Sequence, residues 1–195
     1  MMVETTIRWI RWSRLALIAG ALFMGAAIAL LSLKLPGQRP QPLVSMILLV
    51  ASLLIMLALP GMYARQSEAA GWLGLVGHVG LSVGMVFVVV YAAFPLFNPE
   101  IKGLGQSVAA FLLGIALLLG LVLTAIATLR ADVYPRGSGI LLGASGAGFL
   151  FVFFVAEYLP PIATQLSSTI FGVLFAFALA WIGVSIWISE SQTGT

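Results

Sequence analysis

Few residues in this chain could do chemistry. The 195 residues include a single histidine, no cysteine and six acids. Without cysteine there are no disulfides, thiolate metal sites or cysteine nucleophiles. One histidine, His78, cannot build a multi-histidine metal centre, so no metal and no cofactor is expected. Ser-His-Asp chemistry would have to run through that one residue. Among the acids, Glu68 and Asp132 fall in polar connections, Glu100 in another, and Glu190 in the tail. Glu157 differs, standing at the end of an apolar run just before Tyr158 and Pro160. A carboxylate there either lines the mouth of a cavity or snorkels to water at the interface.

His78 lies inside a glycine series of Gly71, Gly74, Gly77, Gly80 and Gly84. At 100° per residue, Gly71, Gly74, His78, Ser82 and Met85 share one helix face. Small residues let helices approach closely where lipid supplies no hydrophobic drive. An ionisable residue about 12 Å from a helix end, two turns in, is a functional candidate in a membrane, as a proton carrier or a ligand. The plainer account is a neutral histidine hydrogen-bonded across the bundle. His78 and Glu157 are expected in opposite leaflets. A second small-residue ridge, Gly139-x-x-x-Gly143-x-x-x-Ala147, reads as helix contact. It does not follow a strand, so it is no phosphate loop. Phe149, Phe151, Phe153, Phe154, Phe171, Phe175 and Phe177 crowd the last two apolar runs as lipid-facing bulk.

These residues need positioning elements, and the composition says which. The chain is 62% hydrophobic and 8% charged, too few charges to wet a globule of this size. An apolar exterior carries no penalty in lipid. Apolar runs near 13–33, 43–62, 70–94, 107–129, 139–158 and 168–188 each approach the length that crosses a bilayer. They are continuous, not alternating, which excludes a transmembrane barrel. The expectation is an all-α, polytopic transmembrane bundle of about six spans, forming one domain. Trp9, Trp12, Trp72, Tyr134, Tyr158 and Trp187 fall near the expected interfaces, as an aromatic belt does.

With the N-terminus inside, Arg8, Arg11, Arg14, Arg65, Arg130 and Arg136 are cytoplasmic, and Lys34, Arg39 and Lys102 are outside. Six against three satisfies the positive-inside rule and puts both termini in the cytoplasm. The same dispersal excludes nucleic acid as a partner, because a phosphate-binding surface needs a clustered basic face. Leu59-Pro60-Gly61 and Leu159-Pro160-Pro161 end the second and fifth runs, with Gln66 and Gln165 following each. Two readings fit this: a 3+3 inverted repeat of the kind found in secondary transporters, or the ordinary fall of proline at span ends.

The stretch from Leu59-Pro60-Gly61-Met62-Tyr63-Ala64-Arg65-Gln66 into Ala70-Gly71-Trp72-Leu73-Gly74 resembles small bacterial membrane proteins. Pro135-Arg136-x-x-Gly139-x-Leu141-Leu142 resembles the start of the fifth span in a bacterial six-helix family known only as a domain of unknown function. The resemblance implies a six-span inner (plasma) membrane protein and carries no activity. Intramembrane enzymes need paired acids or several histidines at depth, which this chain lacks. The expected role is therefore a non-enzymatic accessory or scaffold subunit, in contact with lipid and with other membrane subunits or further copies of itself. The alternative is a small transporter or channel with His78 in the pathway.

Overall fold

The computed structural model describes residues 2–33, 42–97 and 108–193. Lys34, Pro36, Arg39, Pro40, Pro99, Glu100 and Lys102 lie outside the described residues, as do the side chains of Arg8, Trp9, Arg11 and Glu190. Apart from short turns the described chain is helical, without a strand. The helices are α1 (Met2–Ser32), α2 (Pro42–Phe97), α3 (Val108–Ala131), α4 (Arg136–Val155) and α5 (Pro161–Thr193). A single 3-10 turn, Ala156–Tyr158, follows α4. All five helices are long and apolar enough to cross a membrane.

Helix α2 has 56 residues, which as a straight rod would reach about 84 Å. It does not run straight. At Gly71 the backbone takes φ 57° and ψ −147°, a conformation essentially restricted to glycine. In an unbroken helix Gln66 and His78 would stand about 18 Å apart. Their side chains instead meet at 3.3 Å, so α2 folds back into two arms, residues 42–70 and 72–97. Residues 63–68, which read as a connection, are helical, and the reversal falls on one glycine. Gly71→Ala should cost about 1–2 kcal/mol, because a Cβ in this region strains the backbone. A thermal melt of the purified variant equal to wild type would refute that.

The elements close a ring: α1 packs on α2, α2 on α3, α3 on α4, α4 on α5, and α5 on α1. The glycine contacts fix the register. Gly20 meets Ile55 while Gly61 meets Ser13, so α1 and the first arm of α2 are antiparallel. Gly172 on Ile28 and Gly183 on Ile18 make the same statement for α5 and α1. Gly139 on Leu129 and Gly146 on Leu121 set α4 against α3, and Gly137 on Trp181 with Gly148 on Phe171 set α4 against α5. The tightest seam joins the second arm of α2 to α3. A Cβ on Gly77 would lie 2.7 Å from the Thr124 backbone nitrogen, and one on Gly80 would lie 3.1 Å from Gly120 Cα.

Leu17, Ile55, Leu59, Met62, Leu81, Met85, Leu142, Leu179 and Ile182 fill the interior. The outside is equally apolar: Leu22 is 67% exposed, Leu57 60% and Phe177 58%. Water would not tolerate such a continuous surface, whereas lipid matches it.

Candidate functional site

At one end of the bundle stand Arg65, Gln66, Gly71, Thr128, Tyr134 and Ser189; at the other stand Leu31, Glu157, Tyr158 and Gln165. The first end carries the buried Gln66, His78 and Thr128, while buried serines Ser45, Ser52 and Ser145 lie elsewhere along the bundle. Gln66 sits on the inward stripe of the first arm, continuing Ile55, Leu59 and Met62 at helical spacing. It is fully buried, as are Thr128 on α3 and, nearly so, His78 on the second arm.

The three side chains form one directed chain. His78 Nδ1 lies 2.9 Å from the Gly74 carbonyl oxygen, which can only accept, so Nδ1 carries the proton. His78 Nε2 is then the acceptor for the Gln66 amide at 3.3 Å. The Thr128 hydroxyl donates to Gln66 Oε1 at 3.3 Å. The Tyr63 ring covers His78 at 5.2 Å between centroids, tilted by 54°. Each of the three side chains thus has a hydrogen-bond partner, as a buried polar group in lipid requires.

Beside this chain, Arg65 Nη2 donates to Ser189 Oγ at 2.8 Å, tying α2 to α5. Its Nη1 is buried with no hydrogen-bond partner among the described residues. Tyr134, in the connection between α3 and α4, donates its hydroxyl to the Met62 carbonyl at 3.0 Å. Burial pushes the Tyr134 phenol above its ordinary value, and the Arg65 guanidinium opposes that shift. The phenol therefore stays a neutral donor. Asp132 holds φ 51° in the same connection and accepts from Arg136 Nε at 3.1 Å, both side chains in the open. On the α1 face, the Arg14 guanidinium lies 4.6 Å from the Trp187 ring.

Several candidate residues stand elsewhere. Glu157 is exposed in the 3-10 turn at the opposite end from His78. Gly77 makes close backbone contact, and a Cβ on Gly74 would lie 3.7 Å from the Ala127 Cβ, but one on Gly71 would meet nothing within 4 Å. Gly71 acts through its backbone angles and not through packing. Along α4, Gly139 and Gly143 face α3, and a Cβ on Gly143 would lie 3.4 Å from the Ala125 Cβ. Ala147 is exposed, and Gly146 continues the stripe in its place. Among the phenylalanines, Phe151, Phe153, Phe154 and Phe177 are exposed, whereas Phe175 is buried.

Sequence reasoning saw Gln66 only as a repeat marker and passed over Thr128 and Gly120. Extending the stripe Ile55-Leu59-Met62 by one turn would have found Gln66. Extending Leu121-Thr124-Ala125 would have found Thr128.

Chemically the cluster can bind and brace. Among the described residues no three His, Cys, Asp or Glu side chains converge on a metal position. Among the described residues the hydrogen-bond partners of His78 are the Gln66 amide and the Gly74 carbonyl, and its Nδ1 proton is committed to that carbonyl. The chain matches no protein-family model, no curated protein and no solved structure.

Proposed function

We propose that this chain is a six-span, non-enzymatic accessory or scaffold subunit of the bacterial inner membrane, acting through its helix surfaces. The observation that carries the role is the internal use of its polar groups: Thr128, Gln66 and His78 satisfy one another and the Gly74 carbonyl. Between that cluster and the opposite end the buried side chains are mostly apolar, with only the hydroxyls of Ser52, Thr124 and Ser145 among the described residues there, whereas a solute pathway would need polar groups along its length.

The span count rests on the reversal at Gly71, which makes two crossings of α2. Each arm, of 29 and 26 residues by its numbering, exceeds the roughly 20 residues that hydrocarbon requires. The bacterial setting rests on the resemblance of residues 59–66 and 135–142. A 3+3 inverted repeat is supported by the matched Leu59-Pro60-Gly61 and Leu159-Pro160-Pro161 segments, followed by Gln66 and Gln165. Reporter fusions after Glu68, Asp132 and the C-terminus should read cytoplasm, and fusions near Arg39 and Lys102 the outside. A C-terminal reporter on the external face would mean an odd number of spans. Extraction in mild detergent should recover the chain with another membrane subunit or with further copies of itself. Quantitative recovery as a lone monomer from native membranes would count against the scaffold role.

A further inference from the structure

The end of the bundle away from His78 is not filled. Between α1, the second arm of α2, α3, α4 and α5 lies a cavity of about 340 Å³. Met24, Met85, Leu121 and Phe175 line its deep part, and Leu31, Gln165 and Ser168 lie toward the helix ends. About 10 Å of helix separates Ser168 from Phe175, seven residues at 1.5 Å each. The wall is almost wholly hydrocarbon, and among the described residues no lysine, arginine, aspartate or glutamate contributes to it.

An apolar space of this kind does not hold water, and left empty it forfeits the dispersion contacts of its lining. An apolar cavity near 150 Å³ accepts benzene, so this one has room for about a dozen carbons. A second space of about 320 Å³ adjoins it, sharing Leu117, Leu118, Phe149 and Ser168. That space continues past Phe87 to Phe111 and Phe153, which are 47% and 37% exposed on the flank of the bundle. The cavity is therefore reached sideways, from the layer in which the helices stand.

Its polar groups are confined to one place. Gln165 Nε2 reaches the Leu31 and Ser32 carbonyls, each at 3.4 Å, and the Ser168 hydroxyl faces both spaces. Tyr158 and Glu157, both exposed, stand just before α5, whose first turn leads to Gln165, and mark this end as the wet one. An occupant must be long, apolar, supplied by the membrane, and finished by a neutral group that can exchange hydrogen bonds with an amide or a hydroxyl.

We infer that this cavity binds a single hydrocarbon chain of a membrane amphiphile, its tail against Met85 and Phe175 and its carbonyl or hydroxyl end at Gln165 and Ser168. The source of the chain is either a free long-chain alcohol or the ester-linked chain of a phospholipid. The inference is independent of the scaffold role, since a transporter with the same cavity would hold the same chain.

The test uses the full chain in phosphatidylcholine nanodiscs and two probes: a hexadecanol bearing a mid-chain diazirine, and a phosphatidylcholine bearing the same group on one chain. Peptides containing Met24, Met85 and Phe175 should label saturably, and the probe that saturates at lower concentration identifies the source. Leu118→Phe fills the junction of the two spaces and should weaken that labelling about tenfold, because the apolar contacts holding the chain are gone. Leu31→Trp blocks the mouth from a half-exposed position and should do the same if the core variant fails to fold. Labelling around Trp12 and Leu57, on the lipid-facing groove between α1 and α2, should not change. Labelling of the cavity peptides that never saturates, or that survives Leu31→Trp in a folded protein, overturns the inference.

Discussion

Gly120→Leu should leave little folded protein, lowering stability by about 3 kcal/mol or more, whereas Gly143→Leu should lower it by about 1 kcal/mol. Both are glycines on a helix contact, and they differ in what stands opposite. A Cβ on Gly120 would fall on the Leu81 backbone, 2.8 Å from its Cα and 2.5 Å from the Gly80 carbonyl carbon. Main chain cannot rotate aside, so the two helices would have to separate along the seam that also holds Gly77 and Gly84. A Cβ on Gly143 would meet one methyl, the Ala125 Cβ at 3.4 Å, and a leucine there can turn toward the half-exposed flank. Leu141→Ala, on the partly buried face of α4, should fall between the two. Thermal melts followed by size-exclusion in detergent would rank the three. A Gly120→Leu protein that melts with Gly143→Leu would show that the α2–α3 seam tolerates separation.

The contrast between those glycines shows which parts of the molecule are written locally. The apolar runs are local, and so is the period that puts Gly74, Gly77 and His78 on related faces. The reversal at Gly71 was hidden by the residues before it. Arg65, Gln66, Ser67 and Glu68 look like a connection because they are polar, yet arginine, glutamine and glutamate are good helix formers. The helix therefore continues, turning Gln66 inward and Glu68 outward, until a residue without a Cβ lets the chain double back. The start of α5 misleads in the same way. Thr164 and Thr169 donate to the carbonyls of Pro160 and Gln165, so polar residues that suggest a loop sit on a helix. Tyr134 reads as a belt residue because tyrosine is common at interfaces, but its hydroxyl is buried against Met62. Gly120 and the cavity depend on which helices become neighbours. No period within one segment carries that.

The remaining prediction concerns the cluster that the reversal creates. Gln66→Leu should cost about 1–3 kcal/mol, because it leaves His78 Nε2 a buried acceptor without a donor and takes the acceptor from Thr128. His78→Leu should cost less, about 1 kcal/mol, the usual worth of a hydrogen bond between membrane helices. The difference arises because Gln66 serves two partners and His78 Nε2 serves one. Combining the two leucines should cost less than the sum of the separate losses, since the second change removes a group the first had already orphaned. His78→Gln keeps a side chain able to meet Gln66 and should melt close to wild type. These same variants separate the two readings of the protein. If the cluster only braces the bundle, proteoliposomes of wild type and of His78→Gln should be equally tight to protons, and the variants should differ only in stability. If the chain carries protons or a proton-coupled solute, wild-type vesicles should show a pH-dependent flux that His78→Gln abolishes without loss of folding. The hydrogen bond from His78 Nδ1 to the Gly74 carbonyl at 2.9 Å favours the bracing result: one ring nitrogen is held by its own helix, and the other faces an amide instead of an acid.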